Sequence, residues 1–406
     1  MSWAVIQLGS REHYSVPISL HGVGRLDKCI TDTWLSEFAS NLVRPSFPSL
    51  ASRRNSQLPD CKVSSALVGR LVIDSMLSFR RMSRKEIILN RNEWFSKWAA
   101  KKSEELGSTT IFSYSYTARY PFSAARPRGA RCILGQIDPG PLEEEVVFEA
   151  SNNYHHLEYT ADSWSPQYWN FWNEEVAMAH KVIVNSSWSA DLLKKSGVPP
   201  SKLVVVPLVY SPFIQGPSAL PFGETISHPD AECVMRPPNK RLKALFLGSV
   251  ILRKGVGQLF DAMMLLSDEP VDFIFAGPIS VKIPDEISSM ANVSFLGPVD
   301  QLTAKGLYQE SDMFLFPTLS DGFGLTQLEA LGHGLPVISS KNCALVVEDR
   351  VNGLVLNEVS PESIAEAIME LVRDPDLLVK LKASACVPDK YHPRHLAPAL
   401  LALESD

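Results

Sequence analysis

No apolar run in the sequence approaches the ~18 consecutive residues that a membrane-spanning helix needs. The first ten residues, MSWAVIQLGS, hold neither the basic start nor the long apolar stretch of a secretory leader. Cysteine is sparse: Cys29, Cys61, Cys132, Cys233, Cys343 and Cys386 lie far apart, with no C-x-x-C pair and no His at zinc spacing. They read as buried free thiols of a reducing compartment, not as a disulfide framework or a metal site. The expected location is the cytoplasm. Lys and Arg number 39 against 45 Asp and Glu, a net charge of −6, which argues against a nucleic-acid partner. The motifs G-x-x-x-x-G-K-[ST], G-x-S-x-G and H-E-x-x-H are missing too, which removes the commonest nucleotidase, hydrolase and zinc-peptidase readings. A plain dehydrogenase is poorly supported: His21-Gly22-Val23-Gly24 lacks the third glycine and does not follow a strand directly.

What is present is a chain of 406 residues, 45% hydrophobic and 21% charged, too long for one core and suited to two domains of roughly 200 residues. From residue 242 onward, strands and helices alternate. Lys243–Val250, Val271–Ala276, Val293–Leu296, Met313–Phe316 and Pro336–Ser339 read as strands. Gly255–Leu266, Leu302–Glu310, Leu325–Leu331 and Pro361–Arg373 read as helices, the last capped by Ser360. That alternation predicts an α/β fold with a parallel, doubly wound sheet. The first half repeats the rhythm less cleanly, with strands expected at Ala4–Leu8, Ile111–Tyr114, Cys132–Ile137, Val182–Asn185 and Lys202–Val206. The division is then a first domain over 1–208, a Pro- and Gly-rich linker over 209–241, a second domain over 242–388, and a final segment, 389–406.

One stretch runs against the acidic balance. Between Gly69 and Lys102 there are nine Lys and Arg but only Asp74, Glu86 and Glu93 opposing them, with Phe79, Met82, Ile87, Ile88, Trp94, Phe95 and Trp98 interleaved. Such a segment can sit peripherally on an anionic membrane surface or receive an anionic acceptor. A solvated helix face above ordinary core residues has the same pattern and is the commoner outcome.

Two stretches carry chemistry. Ser249–Gly257, SVILRKGVG, follows a predicted strand and leads into a helix. Arg253 and Lys254 therefore sit at the strand's carboxyl end, where open α/β sheets bind ligands, beside a helix N-terminus with unpaired N–H groups. Two cations and a helix N-terminus suit a diphosphate; a surface loop with two solvated cations is an even alternative. In Ser320–Pro336, SDGFGLTQLEALGHGLP, Gly322 and Gly324 flank Phe323 and open a helix beginning near Leu325. Eight positions after Asp321 comes Glu329, a carboxylate among apolar residues that needs a partner. A ribose diol is one choice; a Glu turned to solvent is the other.

Taken in order, these motifs closely resemble glycosyltransferase family 4, the retaining group 1 glycosyltransferases with the two-domain GT-B fold. The resemblance covers most of 242–375 and includes Gly297-Pro298-Val299, Tyr308-x3-Asp312 and Val351-Asn352-Gly353. It implies two Rossmann-like domains facing a cleft and a nucleotide diphosphate sugar as donor. UDP is the default base because the family uses it most, and no metal or other cofactor is implied. Arg253, Lys254 and Asp321 take the catalytic positions; Ser249, Phe323, Gly324, Leu325 and Glu329 take donor-binding ones. In the first half, Gln7-Leu8-Gly9-Ser10 stands in the place of the family's glycine-rich loop, giving Gly9 a donor-binding role. The final segment, 389–406, is expected to pack back on the first domain.

Three positions depart from the pattern. The first acid of the E-x7-E motif is Asp321, one methylene shorter. The His expected in mid first domain is replaced within Gln136-Ile137-Asp138-Pro139-Gly140, leaving His13, His155 and His156 as alternatives. Leu208-Val209-Tyr210 stands where Asn-Gly is usual. The expectation is transfer of a sugar to an acceptor that the sequence does not name: a sugar, a lipid or a small molecule. An inactive nucleotide-sugar-binding homologue, or a sugar phosphorylase or nucleotide-sugar epimerase on the same fold, are the alternatives.

Overall fold

A computed structural model describes residues 1–44, 46, 47, 50, 53–79, 82–160, 163–210 and 241–404. Most of the expected linker, 211–240, lies outside the described residues, as do Cys233, Arg80 and Arg81. The first sheet holds β1 (Trp3–Gln7), β2 (Leu26–Thr31), β3 (Val63–Ser65), β4 (Thr110–Tyr114), β5 (Arg131–Gly135), β6 (Lys181–Val184) and β7 (Leu203–Val205). Its order is β3-β2-β1-β4-β5-β6-β7, parallel throughout. The second sheet holds β8 (Leu242–Leu247), β9 (Val271–Ala276), β10 (Val293–Phe295), β11 (Met313–Phe316), β12 (Val337–Ser339) and β13 (Gly353–Val355). Its order is β10-β9-β8-β11-β12-β13, also parallel.

Burial on both faces explains why β1 and β11 read as nearly continuous apolar runs: every residue in each is buried, as is every residue of β4. Sequence periodicity misses β2, whose Asp27 and Lys28 interrupt the apolar run, and the three-residue strands β3 and β13. The helix Pro166–Met178 starts where it does because Ser165 caps it through the Tyr168 amide and Pro166 opens its first turn. Among the described cysteines all are free, and Cys29, Cys132 and Cys343 are buried. Cys61 and Cys386 are exposed, which corrects the expectation that all six are buried.

In both sheets the strand order reverses beside the first strand, between β1 and β4 and between β8 and β11. Crossover helices diverge there and leave a crevice at the strands' carboxyl ends. The two crevices face each other. Gly322, after β11, approaches the loop after β5 so closely that a Cβ would lie 2.6 Å from the Ile137 carbonyl oxygen. Farther along the interface the Tyr154 hydroxyl donates to Asp261 at 3.0 Å, and Lys282 pairs with Glu158 at 2.5 Å. The final helix, Leu396–Ala402, returns to the first domain: Leu396, Leu400 and Leu403 join its core, and the Trp3 indole donates to Glu404 at 2.7 Å. Among the described residues no helix is long and apolar enough to cross a membrane.

Candidate active site

The loops after β8 and β11 are joined by backbone. The Arg253 carbonyl accepts from the Leu319 amide at 2.9 Å and from the Thr318 hydroxyl at 3.1 Å. Gly255 makes this approach feasible. It has φ 74° and ends the short 3-10 turn Leu252–Lys254; a Cβ there would stand 1.9 Å from the Pro317 carbonyl oxygen. The turn delivers Arg253 and Lys254 to the switch point, while Gly324, at φ 86°, caps the helix Leu325–Gly332.

Here the two cations meet Asp321. Lys254 pairs with it directly and lies 4.8 Å from the centre of the Phe316 ring. Arg253 stands 3.5 Å from the same carboxylate oxygen and donates to the Ser320 carbonyl at 2.9 Å. The other Asp321 oxygen accepts from the Phe323 amide at 3.0 Å. Burial would raise this carboxyl, but Lys254 and then Arg253 outweigh it and hold the group below the ordinary carboxylate value. Burial likewise opposes the charge of Arg253, and Glu143 and Asp321 overcome it.

Arg253, Lys254, Asp321 and Phe323 are thus one cluster. Ser249 lies in the loop after β8, and Leu325 begins the helix that Gly324 caps. Glu329 is further down that helix, where its carboxylate accepts from the Tyr308 hydroxyl at 2.9 Å. The partner that a carboxylate in an apolar run requires is therefore a tyrosine of this chain. Gly9 belongs to the other domain; it has φ 64° and its amide donates to Asp32 at 2.6 Å.

Sequence reasoning missed the first domain's contribution. Glu143, in the first turn of the helix Leu142–Asn153, reaches across the cleft. It accepts from the Ser320 hydroxyl at 2.9 Å and stands 3.3 Å from Arg253. Burial pushes its carboxyl up to about 7, with Arg253 pulling the other way. Trp188 donates to Ser320 at 3.0 Å, and Ser189 to the Gly322 carbonyl at 3.3 Å. The only sequence signal was a run of three acids after Pro141, which also reads as ordinary charge at a helix N-terminus.

Where the family's His was expected, Asp138 receives the Tyr116 hydroxyl at 2.9 Å, the Gly140 amide at 2.9 Å and the Gln136 side-chain amide at 2.9 Å. Burial raises its carboxyl and these donors offset part of the rise. His155 and His156 are exposed on the turn at the end of the Glu143 helix. His13 lies in the loop after β1, where Glu12, His13 and Tyr14 all have positive φ (48°, 52° and 65°). Three consecutive non-glycine residues in that region are strained. Burial raises the Glu12 carboxyl to about 7, and it lines a solvent-open pocket with Tyr114, Gln136 and Asn185.

A cationic pair, a carboxylate and a helix N-terminus at the switch point make a site for an anion carried on a polar group. Residues 241–374 match the family model described as Glycosyl transferases group 1. The matched segment contains every cluster residue of the second sheet. An uncharacterised glycosyltransferase of Methanocaldococcus jannaschii is 30% identical over 138 residues, 32% of this chain and 35% of that protein. D-inositol 3-phosphate glycosyltransferase of Streptomyces griseus is 26% identical over 235 residues, 52% of this chain and 50% of that one. The chain thus spans between about a third and a half of these curated relatives. Solved structures match over the whole chain. Sucrose-phosphate synthase of Thermosynechococcus elongatus has TM-score 0.64 at 16% identity, covering 100% of this chain and 98% of that one. HepE of Anabaena, in complex with UDP and glucose, has TM-score 0.60 at 13% identity, covering 100% and 99%. Together the two domains form a GT-B fold.

Proposed function

We propose that the protein is a retaining, metal-independent glycosyltransferase of the family 4 type, moving a hexosyl group from a nucleotide diphosphate sugar to an acceptor. The observation that carries this reading is the convergence of Arg253, Lys254, Asp321 and the Phe323 amide at the second sheet's switch point. In the transfer, the bond between the anomeric carbon and the β-phosphate oxygen breaks and its electron pair leaves on that oxygen. The acceptor oxygen bonds to the same face of the carbon, and its proton passes to the departing phosphate. Negative charge grows on the phosphate, where fixed cations and amides stabilise the transition state more than the ground state. Asp321 holds both cations in place before the donor arrives and orients the donor sugar once they turn to the phosphate. Glu329 binds the ribose, exchanging its tyrosine partner for the diol. Contacts across the cleft exclude water and favour transfer over hydrolysis.

UDP is the first base to test, since HepE has been solved with UDP and with UDP-glucose. Thermal unfolding with UDP, GDP, ADP and their sugars checks the reading. A ligand at about 100 times its Kd stabilises by ~2.7 kcal/mol, which appears as a rise of several degrees in Tm. The expected result is a shift with one base that Glu329→Ala abolishes. No shift with any nucleotide would overturn the donor site.

A further inference from the structure

Eight of the twenty exposed large apolar side chains among the described residues fall between Phe38 and Phe79. Five lie on one helix, Leu67–Phe79: Val68, Leu71, Val72, Met76 and Phe79, spaced by three and four residues as one stripe. The spacing is that of a helix packed on a core, yet Phe79 is 90% exposed, Val68 77% and Leu71 59%. The core side of the helix is a different face. Gly69 lies against Trp94 of the next helix, Arg84–Leu106, where a Cβ would come within 2.6 Å of the indole. Leu77 is buried, and Arg70 pairs with Asp32. Trp94, Phe95 and Trp98, which the sequence groups with the outer apolar residues, pack into the first domain's core. On the neighbouring crossover, Phe38, Leu42 and Phe47 are exposed as well.

We infer that this face docks on an anionic lipid bilayer, with the helix Leu67–Phe79 lying in the interface plane. The charge of the segment selects that occupant. Gly69–Lys102 carries nine Lys and Arg against three acids in a chain whose net charge is −6. In the sequence the apolar stripe runs directly into Arg80, Arg81, Arg84 and Lys85, and an apolar stripe followed by cations is complementary to a surface of negative headgroups over acyl chains. Pairing with a second copy would bring two such cationic segments together, a repulsive arrangement. The helix is ~20 Å long at ~1.5 Å per residue, too short to cross a bilayer and long enough to rest on one. The inference does not rest on the sugar-transfer reading, because its readout is vesicle binding and not turnover.

Flotation of the full chain with vesicles tests it, using phosphatidylcholine alone and phosphatidylcholine mixed with phosphatidylglycerol. The protein floats with the mixed vesicles and much less with the neutral ones, and added salt weakens the attraction. Leu71→Glu with Phe79→Glu lowers the bound fraction at least about tenfold, with Tm and circular dichroism unchanged because both side chains are exposed. Leu71→Ala with Phe79→Ala, which keeps good helix formers at both places, gives a smaller loss in the same direction. Three results would overturn the inference: wild-type protein that stays at the bottom with anionic vesicles at low salt, glutamate and alanine variants that float as well as wild type, or a wild-type dimer that the glutamate pair makes monomeric while neither form floats.

Discussion

Arg253 brings a single nitrogen near three oxygens, on Ser320, Glu143 and Asp321, and two of the three belong to carboxylates. A cation so placed is held in position by ion pairs that, in the proposed transfer, the donor's diphosphate would replace oxygen for oxygen. Lys254→Ala and Arg253→Ala are each expected to lower the transfer rate by about two orders of magnitude or more, the scale of losing a preorganised charge-stabilising donor. Steady-state kinetics with the donor found by nucleotide titration checks this, and wild-type turnover in either variant would remove the residue from the mechanism. Glu143 gives a prediction in pH. Its carboxyl is raised from 4.5 to about 7 by burial, so the folded form keeps a proton that the unfolded chain releases. The stability it contributes is complete below about 4.5 and is lost as pH rises through about 7. Glu143→Gln still accepts from Ser320 and cannot titrate, so Tm should fall less steeply with pH across that window. An unchanged slope would place the titrating group elsewhere, with Glu12, also raised to about 7, the next to replace.

At the scale of elements, the cluster depends on two loops meeting at a glycine. Gly255→Ala must place a methyl group on the Pro317 carbonyl and hold a left-handed φ, a combination expected to cost roughly 2–4 kcal/mol. Gly306 makes the contrast: it lies mid-helix, and a methyl group added there would have no neighbouring atom within 4 Å, so Gly306→Ala should raise Tm slightly. Calorimetry on the pair separates a positional requirement from general sensitivity to glycine replacement. The loops also show what local sequence can reveal. Arg253, Lys254, Asp321 and Phe323 lie in two short motifs whose strands and helices are strongly patterned, so the cluster could be read before folding was known. Glu143 could not, because its role arises only where two distant crevices close on each other. The outer stripe of Leu67–Phe79 was hidden for another reason: apolar residues at helical spacing look the same whether they face a core or solvent. For β2 the alternation was masked by Asp27 and Lys28 near the strand's start.

At the scale of the molecule, the two parallel sheets were legible because both domains alternate strand and helix, and each crevice follows from the order of its strands. How the domains meet was not legible, since Tyr154 with Asp261 and Glu158 with Lys282 are single pairs separated by more than 100 residues of sequence. The return of the last helix has a consequence for the order in which the protein is built. Trp3 in the first strand bonds Glu404, and Leu396, Leu400 and Leu403 fill the core beneath that strand. A ribosome adding ~5–20 residues per second delivers the first strand long before these partners. The first domain is therefore closed only after the second has been made. Until then its apolar floor is open, and the second domain, whose core is drawn mostly from residues made in one continuous stretch, folds beside an incomplete neighbour.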